Sequence, residues 1–275
     1  MGARLSWFPV RHLVEHAEGR GVGSRWLDHA RELGFDAVEV HELYLRSAVA
    51  VEDVEARLRG NQLELSMITA APEYTQRTGQ REQDALMQRL LEIAERLGCT
   101  RIRVTAGQAP ANEPLGEVVQ RAANALALHA EHADRHGVVL CLENHFRDRT
   151  WSQDAVDITF NRDIFLSLIS SLEGTPVRVN FDTAQPVFAR TDPVTLLAEV
   201  AGLVVNVHAG ERFWGQREHA VIGTGDVDWD GIFGLLAQNR FDGFLSVEDG
   251  SSGDEGTRRA IAFLETRIAT LAAPE

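Results

Sequence analysis

The stretch GVVLCLENHF, residues 137–146, places an apolar run directly before a carboxylate, an amide and an imidazole. The run from Val138 to Leu142 has the length and composition of a buried strand. Glu143, Asn144 and His145 follow it with no intervening turn residue. A charged side chain at the end of a buried strand is costly unless it is paired or binds a metal. The same pattern recurs along the chain, and the recurrence predicts both the fold and the site.

Eight short apolar or β-branched runs occur along the chain, and segments with helical periodicity separate them. The runs lie at 3–8, 36–41, 63–68, 100–105, 138–143, 177–182, 203–208 and 243–248. Between them, Leu86, Leu90, Ala94 and Leu97 show the spacing of three and four residues that places apolar side chains on one helix face. Strands and helices that alternate over about 250 residues predict an α/β chain whose eight parallel strands close into a (β/α)8 TIM barrel.

Two further features of the chain favour one barrel. No Pro/Ser-rich linker or composition shift divides it, so we expect a single (β/α)8 barrel domain over residues 1–275. Glycines also stand where helices are expected to end and strands to follow, and each is expected to adopt the left-handed conformation of a helix C-terminal cap. These glycines are Gly34, Gly98, Gly137, Gly202 and Gly243.

The last four predicted strands all end in a side chain that can bind a metal, namely Glu143, Asp182, His208 and Glu248. The active site of a TIM barrel lies at the C-terminal ends of its strands, so we expect these side chains at one rim, while apolar strand residues fill the barrel core. Three carboxylates in one place repel each other unless a cation offsets their charge. Oxygen-rich ligation with one histidine suits a single octahedral divalent ion, with Mn²⁺ as first choice and Co²⁺ or Mg²⁺ as alternatives.

Charge and composition narrow the classes of function. The net charge of −14 opposes binding to nucleic acid, which normally needs a basic surface. The chain has no lysine, so Schiff-base and pyridoxal-phosphate chemistry is excluded. No signal-peptide pattern or membrane-spanning apolar run occurs, so we expect a soluble, cytoplasmic protein with a small-molecule substrate and no membrane partner. Cys99 and Cys141 lie in apolar surroundings and are expected to be buried thiols.

The motifs also carry a family resemblance that covers essentially the whole chain. The segments LENH (142–145), NFDTAQP (180–186), VNVHAGE (205–211), GTGDVDWDGIF (223–233) and FLSVE (244–248) resemble the sugar-phosphate isomerase/epimerase family of xylose-isomerase-like TIM barrels. The resemblance implies that Glu143, Asp182, His208 and Glu248 hold one divalent metal ion, and that the two glutamates act as acid and base on the substrate. It also implies an isomerase or epimerase of a small sugar or keto-sugar that works through a metal-stabilised enediolate.

Two positions depart from the ketose epimerases of that family. Gln185 stands three residues after Asp182, where those enzymes usually carry a histidine. The substrate-binding arginine that they place after the strand-seven histidine could be Arg217 or Arg212. The alternative function is therefore a metal-dependent lyase or dehydratase on a keto-sugar, a 3-keto-glycoside or an inosose, with His145 as a further catalytic acid or base.

Softer substrate-binding candidates lie near other strand ends. Trp7 ends the first strand and is a candidate apolar wall for a sugar, with ordinary barrel packing as the alternative. His41 and Glu73 are candidates for contacts with substrate hydroxyls, with solvated loop side chains as the alternative. Phe213 and Trp214 follow strand seven, where they would cover the site as a lid or meet a partner subunit in a homo-oligomer.

A remote alternative is DNA repair, because the related AP endonucleases share the barrel. Those enzymes hold three metals and need additional histidines. Gln185 occupies one such position, and the third predicted strand continues as MITAAPE (67–73) without a histidine. These departures and the charge of −14 argue against a nuclease. A barrel that only binds or assembles is a further alternative, and the four-residue ligand set argues against it.

Overall fold

The closed barrel predicted from the eight apolar runs is present in the computed structural model, which describes residues 2–145, 156–248 and 253–271. The barrel strands are β1 (Arg4–Phe8), β2 (Ala37–His41), β3 (Glu64–Thr69), β4 (Arg101–Val104), β5 (Val139–Glu143), β6 (Arg178–Asp182), β7 (Val204–Ala209) and β8 (Phe244–Glu248). Each strand pairs in parallel with its neighbours in the chain, and β1 pairs with both β2 and β8, which closes the sheet. Each strand begins and ends within one residue of its predicted run.

Ten α-helices lie in the described part of the chain. They span Val10–Ala17, Trp26–Leu33, Ala48–Gly60, Gln80–Leu97, Leu115–Arg135, Arg162–Ser171, Ala184–Phe188, Pro193–Val200, Trp229–Gln238 and Gly253–Leu271. Helix Gln80–Leu97 has the predicted apolar face: Leu90 and Ala94 are fully buried, and Leu86 and Leu97 pack against the core. Within the described residues, no helix has both the length and the apolar character that crossing a membrane requires.

The glycine caps follow the prediction at three of five positions. Gly34, Gly98 and Gly137 have φ values of 102°, 69° and 69°, which is the left-handed conformation expected after a helix. The prediction is wrong for Gly202, which lies inside the 3₁₀ helix Ala201–Leu203, and for Gly243, whose φ is not left-handed. Gly243 is required for a different reason, because a Cβ there would lie 2.2 Å from the Val205 carbonyl oxygen of β7.

The interior of the barrel is polar, which differs from the expectation that apolar strand residues fill it. Ser6 of β1 lies 2.6 Å from Ser66 of β3, measured between the hydroxyl oxygens. Glu39 of β2 accepts hydrogen bonds from Asn206 of β7 and Ser246 of β8. The strands in each of these pairs are not neighbours in the sheet, so the contacts cross the barrel interior. The polar interior connects directly to the strand ends where the predicted site lies.

The apolar core lies mainly between the barrel and its helices, and Trp7 belongs to that layer. Its ring stacks on Phe35 at a centroid distance of 5.5 Å and meets Trp26 edge-on at 5.9 Å. Successive side chains of a strand point to opposite faces, so the next residue, Phe8, faces the interior and stacks on His208. Of the two alternatives for Trp7, the structure shows barrel packing.

Both cysteines are buried thiols, as the sequence predicted. Burial raises the pKa of Cys99 to about 11 and that of Cys141 to about 12. Thiols of this kind are almost entirely protonated at neutral pH, so neither is a candidate nucleophile.

Candidate metal centre

The four strand-end residues predicted as metal ligands meet at one end of the barrel. Glu143, Asp182, His208 and Glu248 each offer one ligand atom, and these atoms all lie within 4.8 Å of one another. All four residues are buried, and their strands β5 to β8 are neighbours in the sheet. This four-residue cluster could hold a metal ion.

His208 lies at the centre of the cluster. Its Nδ1 is 2.6 Å from Glu143 Oε1 and 3.0 Å from Glu248 Oε2. Its Nε2 is 2.8 Å from Glu39 Oε2 on the opposite side of the ring. Phe8 stacks on the imidazole with the two rings 20° from parallel. The ring is thus held on its face and at both nitrogens.

Asp182 and Asn144 join two neighbouring strand ends. Asn144 accepts from the Asp182 backbone N–H at 2.8 Å and donates to the Asp182 carbonyl at 2.8 Å. Asp182 Oδ1 accepts from the backbone N–H groups of Ala184 and Gln185, at 2.7 and 3.1 Å. Asp182 Oδ2 has no hydrogen-bond partner among the described residues. The amide in LENH therefore has a structural task, while one oxygen of Asp182 stays available to a ligand.

Glu143 is held from two directions. Asn180 Nδ2 donates to its Oε1 at 3.0 Å, and Arg103 Nε lies 3.0 Å from its Oε2. Burial alone would raise the pKa of Glu143, but Arg103 and His208 hold it below its usual value. Glu143 is therefore kept as a carboxylate inside the barrel.

The cluster carries more negative charge than its surroundings balance. Burial, together with Glu248 and Glu143, raises the pKa of Asp182 well above its usual value. Burial would lower the pKa of His208, but Glu39, Glu143 and Glu248 raise it well above its usual value. The pKa of Glu248 is lowered despite its burial, because His208 lies beside it. Several carboxylates crowd around one histidine here. A divalent cation would offset their negative charge and so stabilise the cluster.

The donor atoms fit such a cation. Asp182 Oδ2, His208 Nδ1 and Glu248 Oε2 are buried and form no hydrogen bond with the residues that the structure describes, although His208 Nδ1 lies close to both glutamates. Unsatisfied buried polar atoms are rare, and here they converge on one place. Three carboxylates and one imidazole suit Mn²⁺, Co²⁺ or Mg²⁺ better than a structural zinc site built from thiolates.

A family model described as xylose isomerase-like TIM barrel matches residues 27–267. The chain belongs to the xylose isomerase-like TIM barrel family. No curated protein matches it significantly. The family predicted from the sequence motifs is confirmed, and it accounts for the barrel.

Solved structures of this fold cover nearly the whole chain at low sequence identity. The probable 3-DHS dehydratase AsbF, involved in petrobactin synthesis, from Bacillus anthracis is 17% identical with a TM-score of 0.74, over 96% of this chain and 99% of that chain. An L-ribulose 3-epimerase is 22% identical with a TM-score of 0.74, over 98% and 95%. The 3-keto-D-glucoside 4-epimerase YcjR from E. coli is 17% identical with a TM-score of 0.71, over 97% and 99%. At these identities the likeness establishes the fold alone.

Two further site residues predicted from the sequence, His145 and Gln185, lie next to the cluster. His145 has a buried Nδ1 without a hydrogen-bond partner in the described residues. Its burial lowers its pKa, although Glu143 close by acts in the opposite direction. Gln185 is buried on helix Ala184–Phe188, and its Oε1 also lacks a partner in that part of the chain. Both side chains retain hydrogen-bonding capacity for a ligand.

The arginine beside the site is Arg212, whereas Arg217 is exposed. Arg212 is 6% exposed, its Nη2 lies 3.0 Å from His219 Nε2, and its guanidinium lies over the Phe188 ring at 5.1 Å. Burial lowers its pKa, while Asp182 and Glu248 act to raise it. The spacing in the sequence left both arginines open, and packing against Phe188 distinguishes them.

The softer candidates are placed as follows. His41 Nδ1 accepts from the Leu43 backbone N–H at 3.2 Å and caps the 3₁₀ helix Glu42–Leu45. Glu73 Oε2 accepts from the Gln108 backbone N–H at 3.3 Å. Phe213 and Trp214 are 40% and 42% exposed. His41 and Glu73 thus have local structural contacts, and the two aromatic side chains present apolar surface beside Arg212.

Sequence reasoning missed the supporting residues inside the barrel, chiefly Glu39 and Arg103. Glu39 is 0% exposed and contacts His208, and Arg103 is 4% exposed and contacts Glu143. The sequence signal is a charged residue between apolar neighbours, as in AVEVH and RIRV. A charge in a strand is ordinarily expected on the solvent face, so this signal alone does not place Glu39 or Arg103 inside the barrel.

Glu211 was also missed, and it explains the GTGDVDW segment. It is 1% exposed and accepts from the backbone N–H groups of Gly223 and Val227, at 2.8 and 3.0 Å, and from Trp229 Nε1 at 2.8 Å. A Cβ on Gly225 would lie 2.5 Å from the Arg212 carbonyl oxygen. The motif therefore fastens the loop after β7 to the helix that follows.

Proposed function

We propose that the chain is a divalent-metal-dependent isomerase or epimerase of a small sugar or keto-sugar. The observation that carries the proposal is the convergence of Glu143, Asp182, His208 and Glu248, whose ligand atoms lie within 4.8 Å of one another. A cluster of this kind at the C-terminal end of a TIM barrel is typical of an active site. We propose Mn²⁺ as the ion, with Co²⁺ and Mg²⁺ as alternatives.

The sugar substrate is supported by the names of the structural neighbours. They include an L-ribulose 3-epimerase, a D-tagatose 3-epimerase-like protein and a 3-keto-D-glucoside 4-epimerase. Around the cluster, Gln185, Arg212 and His145 offer an amide, a guanidinium and an imidazole for hydrogen bonds to hydroxyl and carbonyl oxygens. Such a mixture suits a polyhydroxylated ligand better than an apolar one.

The two glutamates are the proposed acid and base. An ion bound by the cluster supplies Lewis-acid stabilisation of the negative charge that develops on a substrate carbonyl oxygen. One of Glu143 and Glu248 removes the proton from the carbon beside that carbonyl and later releases it to solvent, and the other returns a proton that it has taken from solvent. Return to the opposite face of the same carbon gives epimerisation, and return to the neighbouring carbon gives isomerisation.

The test is solvent exchange during turnover in D₂O, after a screen of ketoses, ketose phosphates, inososes and 3-keto-glycosides with Mn²⁺ present. A proton held by a carboxylate can exchange with solvent, so we expect deuterium in the recovered product. Glu248→Gln should abolish most of the exchange, because an amide cannot act as the base. Efficient turnover with no deuterium would instead indicate hydride transfer between carbons and contradict the proposed acid and base.

A lyase or dehydratase is the second candidate, and His145 favours it. Its Nδ1 is buried beside Glu143 and lacks a partner in the described residues, so it could protonate a leaving hydroxyl. One structural neighbour is described as a probable 3-DHS dehydratase. Product analysis on a keto-sugar separates the two candidates, because elimination releases water and leaves an unsaturated product.

A further inference from the structure

A buried hydrogen-bond chain lies one layer below the four-residue cluster. Asn180, Asn206 and Ser246 each precede a cluster residue by two positions on the same strand, so they face the same side of the sheet. Asn206 Nδ2 donates to Asn180 Oδ1 at 2.8 Å and to Glu39 Oε1 at 3.3 Å. All of these residues are fully buried. The layer is therefore closed to bulk solvent, and none of these hydrogen bonds involves a residue of the rim loops.

Glu39 is the acceptor on which this layer converges. Three donors point at its carboxylate: Asn206 Nδ2, Ser246 Oγ and His208 Nε2, the last at 2.8 Å. A carboxylate only accepts hydrogen bonds, so His208 donates from Nε2 in this contact. A histidine that binds a metal loses one ring proton, and an imidazole that keeps the proton on Nε2 has a free lone pair on Nδ1. That nitrogen is the one that faces Glu143 and Glu248.

The same layer also reaches a second residue of the cluster. Asn180 Nδ2 donates to Glu143 Oε1 at 3.0 Å. Glu143 and His208 are therefore joined from below through Asn180, Asn206 and Glu39, in addition to their direct contact. A hydrogen bond from the second ring nitrogen to a carboxylate, such as that from His208 Nε2 to Glu39, fixes the tautomer and the rotation of a ligating histidine.

We propose that Glu39 is a positioning residue that holds His208 with Nδ1 directed at the metal and thereby sets the affinity of the site for a divalent ion. The inference rests on the proposed function, because it needs the four-residue cluster to bind an ion. It assigns a role to a residue of β2, a strand that contributes no member of the cluster.

The test compares two substitutions of buried glutamates that each accept three hydrogen bonds. Glu39→Gln places an NH₂ group either against the His208 N–H or against the donors of Asn206 and Ser246. Glu211→Gln makes the same chemical change at a carboxylate whose donors are Gly223, Val227 and Trp229, none of which belongs to the cluster. The measurement is the Kd for Mn²⁺, from the electron paramagnetic resonance signal of the free ion.

We expect Glu39→Gln to raise the Kd by about 10- to 100-fold and Glu211→Gln to leave it within about 2-fold. Tight Mn²⁺ binding by the wild type with no change in Glu39→Gln would overturn the inference about Glu39 and leave the proposed function standing. A wild-type chain that binds no divalent ion would overturn both.

A second measurement tests the orientation of His208 without a substitution at Glu39. It applies even if Glu39→Gln does not fold. In ¹⁵N-histidine-labelled wild type loaded with Mg²⁺, the His208 ring is identified by its absence from the spectrum of His208→Gln. We expect the proton on Nε2 and none on Nδ1. A proton on Nδ1 in the loaded protein would overturn the inference.

Discussion

At the scale of single residues, Asp182 divides its two oxygens between two tasks. Oδ1 accepts from the backbone at the start of a helix, and Oδ2 faces the cluster. Asp182→Asn keeps an oxygen for the backbone and removes the charge. We expect Mn²⁺ affinity and turnover to fall by more than about 100-fold, since outer-shell changes alone reach that size. The Tm of the metal-free protein should stay equal or rise, because the carboxylates crowd each other less.

The control for Asp182 is Asp163→Asn, whose side chain is 85% exposed and pairs with Arg162. It should leave Mn²⁺ content, turnover and Tm unchanged. Stoichiometric Mn²⁺ in purified Asp182→Asn, measured by elemental analysis, would show that Asp182 is not a ligand.

His145 separates the two candidate reactions. If it is the acid that protonates a leaving hydroxyl, His145→Ala should lower the rate of elimination by roughly 100-fold or more while Mn²⁺ affinity is retained. If the glutamates alone transfer protons, epimerisation by His145→Ala should proceed at nearly the wild-type rate. Steady-state kinetics with the exposed His136→Ala as control distinguishes these outcomes.

Residue-level prediction succeeded where a strand end marks the position and failed where the facing direction had to be inferred. Glu143, Asp182, His208 and Glu248 end four successive strands, so their shared rim followed from topology. Trp7 and Phe8 are adjacent at the end of β1, and only the packing of Trp7 on Phe35 shows that Phe8 is the inward one. Arg212 is buried and Arg217 is exposed, and no local sequence pattern predicts this difference.

At the scale of elements, the contact between β7 and β8 depends on Gly243. A Cβ there would meet the Val205 carbonyl oxygen at 2.2 Å, and a backbone atom cannot retract as a flexible side chain can. We expect Gly243→Ala to lower the free energy of unfolding by about 2–3 kcal/mol, at the upper end of overpacking costs. Urea denaturation measures the change.

The matched control is Gly234→Ala in helix Trp229–Gln238, where an added Cβ meets no atom within 4 Å. Alanine in an open helical position should raise stability by up to about 1 kcal/mol. Equal effects of the two substitutions would show that the approach of β7 to β8 tolerates a side chain.

The strand positions followed from the apolar runs because burial on the helix side keeps those runs apolar. The polar interior did not follow. In β2 the pairing register with β3 shifts between Val38 and Glu39, and an irregularity of this kind can redirect a side chain. A strict alternation read from the sequence cannot locate such a shift, so Glu39 was overlooked.

At the scale of the whole molecule, the proposed ion should stabilise the fold. A ligand that binds only the folded state contributes about 2.7 kcal/mol at 100 times its Kd. For a chain of this size, that corresponds to a rise in Tm of roughly 5–10 °C on adding Mn²⁺ to chelator-treated protein. Calorimetry should show the rise in wild type and not in Asp182→Asn. An equal rise in both would place the stabilising ion elsewhere.

The two buried thiols leave the folded surface free of reactive cysteine. Cys99 and Cys141 are 3% and 0% exposed, and the chain has no lysine amine. A maleimide dye should therefore attach to a single introduced thiol with little background. Trp214→Cys would place such a dye on an exposed position beside Arg212. Its emission would then report movement of the loop after β7 when a ligand binds, in a protein that needs no prior removal of native cysteines.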